Sequence, residues 1–191
     1  MTALVPSGAR YQILRPILSF TRHYKVFGPD GDLAMYAEQP WFSLRQELIV
    51  YADEAQLRPL FVIRSRRLAA INREHDVLDA NGGARLGCLR TRGIRSLFRD
   101  TWDILGPDDR PAGLMEETGN ALLRRVFRFL PGQHRIELGG RDVAHVQQVF
   151  RLLAREFFVD IRQIDDPIDP RLAVACALVA ILADLRREQS S

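Results

Sequence analysis

Lysine is almost missing from this chain. Lys25 is the only one, and arginine carries the rest of the positive charge. The basic groups are therefore nearly all planar forks suited to carboxylate and phosphate. Cysteine is scarce too. Cys88 and Cys176 lie far apart with no ligand-like spacing, which argues against a disulfide framework and against a zinc site. Aromatic residues make up 8% of the chain and form no RNP-like pattern, and no reading helix is visible, so a nucleic-acid partner is disfavoured. The opening MTALVPSGARYQIL has no basic stretch followed by an apolar one. No signal peptide is expected, and a cytoplasmic location follows by default. Catalytic signatures are missing as well. His23, His75, His134 and His145 form no H-E-x-x-H pair, and neither G-x-S-x-G nor a Walker loop occurs. No nucleophile, base and orienting group can be assembled, so neither an enzyme, a cofactor nor a small-molecule substrate is expected. His75 beside Asp76, and His134 near Glu137, read as solvated neighbours in turns or strands.

Apolar residues make up 47% of the 191, enough for a sizeable core, and the net charge is a mild +3. No linker or low-complexity tract divides the chain. It reads as one domain over residues 11–187, with a flexible start at 1–10 and a tail at 188–191.

Between Tyr11 and Ile164 one pattern returns: a short alternating apolar run, a turn signal, and another run. HYKVFGPDGDLAMYAEQ places Tyr24 and Val26 on one face and Lys25 and Phe27 on the other, turns at Pro29-Asp30-Gly31, and resumes with Leu33, Met35 and Ala37. Further turns are expected near Asp53-Glu54, at Asn81-Gly82-Gly83, at Gly106-Pro107-Asp108 and at Gly139-Gly140. The two Gly-Gly pairs suit tight turns better than phosphate cradles. The units recur roughly every 25–30 residues, as a repeated supersecondary element would. Five hairpins give about ten strands, and arms at Tyr11–Leu14 and Phe157–Ile161 bring the count to about twelve. Two stretches are ambiguous. RDVAHVQQVFRLLAREFF fits a helical period as well as a strand one. Pro59 must mark an edge, a bulge or a strand start.

The last segment is of another kind. Pro170 to Arg187 reads PRLAVACALVAILADLRR and is apolar all round from Leu172 to Ala183. A helix without a polar face needs a complete apolar surround. At about 1.5 Å per residue, Leu172 to Leu185 covers about 20 Å, short of a bilayer core of about 30 Å. A protein core is the better home. Asp169 suits the N-cap and Pro170 the first helical position, and Arg186 and Arg187 stand at the negative end of the helix dipole. A closed sheet of about twelve strands has an interior that its own side chains would not fill. The fold expected is therefore mainly β: a closed antiparallel barrel of about twelve strands around a central hydrophobic C-terminal helix over residues 170–187.

The units FSLRQELIVYADE (42–54) and HYKVFGPDGDLAMYAEQ, with the tail FFVDIRQIDDPIDPRLAVACALVAILADL, resemble the LURP-one-related proteins and the phospholipid scramblases. Both belong with the tubby C-terminal-like domains. The resemblance implies the same twelve-stranded barrel around a helix, and it favours strands over Asp142 to Phe158. For function it implies binding to anionic phospholipid, or scramblase-like behaviour at a membrane. Scramblases carry an acidic calcium segment before the final helix, and Asp160, Asp165, Asp166 and Asp169 stand in that region here. Their acidic start is not reproduced, since Leu153-Ala154-Arg155-Glu156 occupies its place.

Arginine clusters are the better candidates for binding. Arg64, Arg66 and Arg67 end one arm, and Arg90, Arg92, Arg95 and Arg99 surround a later connection. Arg124, Arg125 and Arg128 open another. Alternation puts Arg64 with Arg66, and Arg90 with Arg92, on common strand faces. They form either an anion-binding patch or a solvated face paired with nearby acids. The partners to test are an anionic phospholipid or membrane surface, then a protein.

Ala177→Glu or Leu178→Asp should abolish soluble expression, because an unpaired charge in the core costs several kcal/mol. The soluble fraction after lysis measures this, and normal folding of either variant would make the helix peripheral.

Overall fold

The computed structural model describes residues 8–16, 21–39, 47–67, 73–92, 101–118, 132–150, 154–162 and 169–189. Its strands are β1 (Arg10–Pro16), β2 (Arg22–Phe27), β3 (Leu33–Gln39), β4 (Glu47–Tyr51), β5 (Pro59–Arg67) and β6 (Arg73–Asp79). They continue with β7 (Arg85–Thr91), β8 (Thr101–Leu105), β9 (Pro111–Thr118), β10 (Gln133–Leu138), β11 (Arg141–Phe150) and β12 (Ala154–Ile161). One helix, α1 (Pro170–Gln189), follows and runs two residues past the expected end. Each strand pairs antiparallel with its neighbours in sequence. β1 pairs with β12 from Arg10 opposite Asp160 to Pro16 opposite Ala154, which closes the barrel.

All five expected turns are present and lie at one end of the barrel. At Gly139-Gly140 both residues have positive φ, +56° and +77°, as a tight two-residue hairpin turn requires. Pro59 is the first residue of β5, where its missing N–H costs no ladder bond. The ambiguous stretch resolves into β11 and β12. There Ala144, Val146 and Gln148 alternate inward, and both strands find partners on either side.

Alternation then builds the core. Tyr11 and Ile13, Tyr24 and Val26, Phe61 and Ile63, and Val159 and Ile161 all point inward and are 0–5% exposed. Against them stands α1, whose residues from Leu172 to Leu182 are all buried. Each fully buried Leu, Ile or Val contributes about 1.5–3 kcal/mol that water would otherwise cost. Cys176 behaves here as a small hydrophobe, and burial pushes its thiol up to about 12. Among the described residues no helix is long and apolar enough to cross a membrane.

The helix enters at the end that carries the tight turns. Asp169 caps it: Oδ1 accepts from the Arg171 backbone N–H at 2.9 Å, and the Asp169 carbonyl accepts from Leu172 N–H at 2.9 Å. Pro170 holds the first helical position. Gly87 on β7 makes room for this entry. A Cβ there would lie 2.8 Å from the Leu105 carbonyl oxygen and 3.2 Å from Leu172 Cδ1. Gly113 on β9 is tighter still, with a Cβ falling 1.9 Å from the Glu137 carbonyl oxygen.

Gly113→Ala should therefore destabilise the barrel by about 3 kcal/mol or more, since the β9–β10 ladder itself must shift. Gly82→Ala, where nothing lies within 4 Å, should stay near the wild type. Urea denaturation of both variants tests the pair.

Candidate functional site

The outer faces of β5, β6, β7 and β8 carry charge in a regular array. Register sets Arg66 opposite Glu74, Glu74 opposite Arg90, and Arg90 opposite Asp103. One row over, Glu47 faces Arg64 and Arg64 faces Asp76. Signs alternate across the strands, so every guanidinium meets carboxylates. Arg64 Nε donates to Glu47 Oε1 at 2.7 Å. Arg66 lies 2.7 Å from Asp76 and 3.3 Å from Glu74. Arg90 Nε donates to Glu74 Oε1. Arg92 Nε donates to Asp103 Oδ1 at 2.6 Å, and this bond holds its guanidinium above the ordinary arginine value.

The acids sit lower than the bases. Side chains of Glu74 and Asp76 are 5% and 10% exposed, while those of Arg66 and Arg90 are 49% and 45% exposed. The arginine stems lie over the carboxylates and keep their own far edges in water. Arg85 joins from the other side, 3.1 Å from Asp76 and 2.5 Å from Asp109. A register shift after Val77 places it there. Cys88 lies beneath the same network, fully buried, and desolvation pushes its thiol up despite a bond from Arg85.

Of the expected site residues, Arg64, Arg66, Arg90 and Arg92 thus come together in one belt. Arg67 ends β5 opposite Arg73, and its side chain lies outside the described residues. So do Arg95, Arg99, Arg124, Arg125 and Arg128. The expected calcium aspartates do not converge among the described residues. Asp160 on β12 accepts from Arg10 at 2.5 and 3.1 Å, Asp169 caps the helix, and Asp165 and Asp166 lie outside the described residues. No group of three or more metal-ligating side chains occurs among the described residues.

The histidine expectation needs correction. His75, Asp76 and His134 are buried, not solvated. Alternation turns both histidines into the barrel. His75 Nδ1 lies 2.7 Å from Ser65 Oγ across the β5–β6 pair, and His134 packs against Trp102 with ring centres 5.8 Å apart. The acids that pair with the arginines, buried Glu74 and Asp76 and half-buried Glu47 and Asp103, were not foreseen by number. The one available signal was sign alternation on the two strands of each arm, and it needs the register to be read.

A second ionic contact lies at the helix entry. Arg171 reaches Asp79 at the end of β6 through Nη1 and holds Asp169 through Nη2 at 2.7 Å. The Arg171 bond, with a backbone bond from Asn81, keeps the Asp79 carboxyl below its ordinary value. This pair ties the helix start to the β6–β7 hairpin.

No protein-family model matches this chain, and no curated protein matches it.

Because the Asp79 carboxyl is lowered in the folded state, its contribution is complete above the unfolded carboxylate value. It fades as pH falls through the lower, folded value. Asp79→Asn should cost about 1–2 kcal/mol at neutral pH. The difference from wild type should close in strongly acid solution. Urea denaturation at the two pH values tests it, and an equal deficit at both would remove the ionic explanation.

Proposed function

We propose that this chain is a non-enzymatic member of the LURP-one-related and scramblase-like group of tubby C-terminal-like barrels. In this reading it acts in the cytoplasm and binds anionic phospholipid headgroups through its outer arginine belt. The observation that carries the reading is the gathering of Arg64, Arg66, Arg90 and Arg92 on one face, each keeping part of its guanidinium in water. The axial helix supports it indirectly. Side chains of α1 fill the space where other barrels hold a ligand, which leaves the exterior for binding.

The ion pairs set the terms of such binding. A half-exposed pair contributes only about 0–1 kcal/mol, so a phosphate can replace a carboxylate at little cost. Bidentate Arg–phosphate contacts then favour the exchange. Charge at the described turns points the same way. They hold Asp30, Asp32, Asp53, Glu54, Asp108 and Asp109 against Arg58 and Arg110 at one end. An anionic surface is therefore met away from that end.

Co-sedimentation with phosphatidylcholine vesicles, with and without phosphatidylserine, tests the reading. Binding should require the anionic lipid and weaken with salt. Arg66→Gln and Arg90→Gln should weaken it further, while Glu74→Gln should strengthen it by releasing two guanidiniums. Equal binding to neutral vesicles, or none, overturns the proposal.

A further inference from the structure

Asn81-Gly82 is the one Asn-Gly pair in the chain. It sits in the β6–β7 turn, to which the start of α1 is tied through Arg171 and Asp79. Asn81, Gly82, Gly83 and Ala84 are all exposed. A Cβ built on Gly82 would meet nothing within 4 Å. Gly83, with φ +66°, is the only residue of this turn in the left-handed region. Asn81 is therefore not fixed in the conformation that an Asn-Gly pair takes in a two-residue hairpin turn.

An asparagine followed by glycine carries its own electrophile and nucleophile. The electrophile is the side-chain amide carbon, Cγ of Asn81. The nucleophile is the backbone nitrogen of Gly82. A side chain on the second residue would crowd the approach, and glycine has none. What restrains the reaction here is the Asp79 carboxylate. It accepts from the Asn81 N–H at 2.8 Å and from the Gly82 N–H, while it also holds Arg171. The Gly82 nitrogen is released when that bond opens, and exposed turns are where local opening costs least.

We propose that Asn81 is a site of self-modification, at which the Gly82 nitrogen attacks the side-chain amide and turns it into an acid. The nitrogen bonds to Cγ and gives up its proton. The side-chain nitrogen takes up a proton and leaves as ammonia, and a succinimide ring remains. Water then opens the ring at either carbonyl carbon. Attack at the side-chain carbon gives aspartate at position 81, and attack at the main-chain carbon gives isoaspartate. Either product adds a negative charge two residues from Asp79. Isoaspartate also lengthens the main chain by a methylene. The turn it enters is closed by the Asp79 N–H on the Ala84 carbonyl at 2.7 Å and the Gly83 N–H on the Asp79 carbonyl at 2.9 Å. Distortion of that turn loosens the tie to Arg171, so the age of the molecule is written at the helix entry.

Incubation of the full folded chain at neutral pH, then tryptic mass spectrometry of residues 74–85, tests this. Product at position 81 should form at no less than about a tenth of its rate in the free 74–85 peptide. Labelling by an isoaspartate-specific methyltransferase should rise in step. Gly82→Ala, which leaves the turn uncrowded, should slow the reaction about tenfold or more. Aged wild type should unfold at lower urea than fresh protein, and aged Gly82→Ala should not. Three results would overturn the proposal: a folded chain that reacts more slowly than that fraction of the peptide rate, undiminished product in Gly82→Ala, or modified protein that unfolds with the fresh.

Discussion

Mutual burial of sheet and helix is the constraint on which this molecule depends. A closed sheet of twelve strands leaves an axial space, and α1 is a rod without a polar side. Neither surface tolerates water, and each is the other's solvent. The alanines at 173, 175, 177, 180 and 183 keep the rod slim, and Gly87 lets it pass the sheet at its point of entry. Closure between β1 and β12 removes the free edges that would otherwise invite pairing with a second chain.

With the interior given over to packing, chemistry is displaced outward. Polar side chains collect on the outer faces and at one end of the barrel. Outside, on β5 to β8, signs alternate across neighbouring strands and the charges satisfy one another. Inside the barrel, at the end opposite the tight turns, Arg15 stands opposite Arg155, and both have partners within the fold.

Much of the fold was legible because its signals are local. Pro29-Asp30-Gly31, Asn81-Gly82-Gly83 and Gly139-Gly140 each mark a turn through backbone preferences that do not depend on the rest of the chain. The apolar run after Pro170 announces its own burial in the same way. Periodicity left open the stretch where two periods overlap, from Val143 onward, and pairing on both sides of β11 and β12 decides for strands there. The candidate site was half legible. Arginine clusters can be counted in a sequence, but their partners cannot. Glu74 lies next to Arg90 because of register across strands sixteen residues apart, and one residue of slip would move every charge to the other face. The same dependence hid His75 and His134, whose direction is set by alternation within a strand and not by their polarity.

The position of α1 after all twelve strands has a consequence for how the molecule is made. A ribosome releases the sheet first and the rod last, so the sheet emerges before anything can occupy its axis. Until the final turn of α1 clears the exit tunnel, the nascent barrel shows its oily lining to water. Non-local pairing is slow in any case, and an unfilled lining lengthens the interval in which aggregation competes. For this chain, translation speed over the segment before Pro170 and the supply of holding chaperones are therefore part of the folding problem.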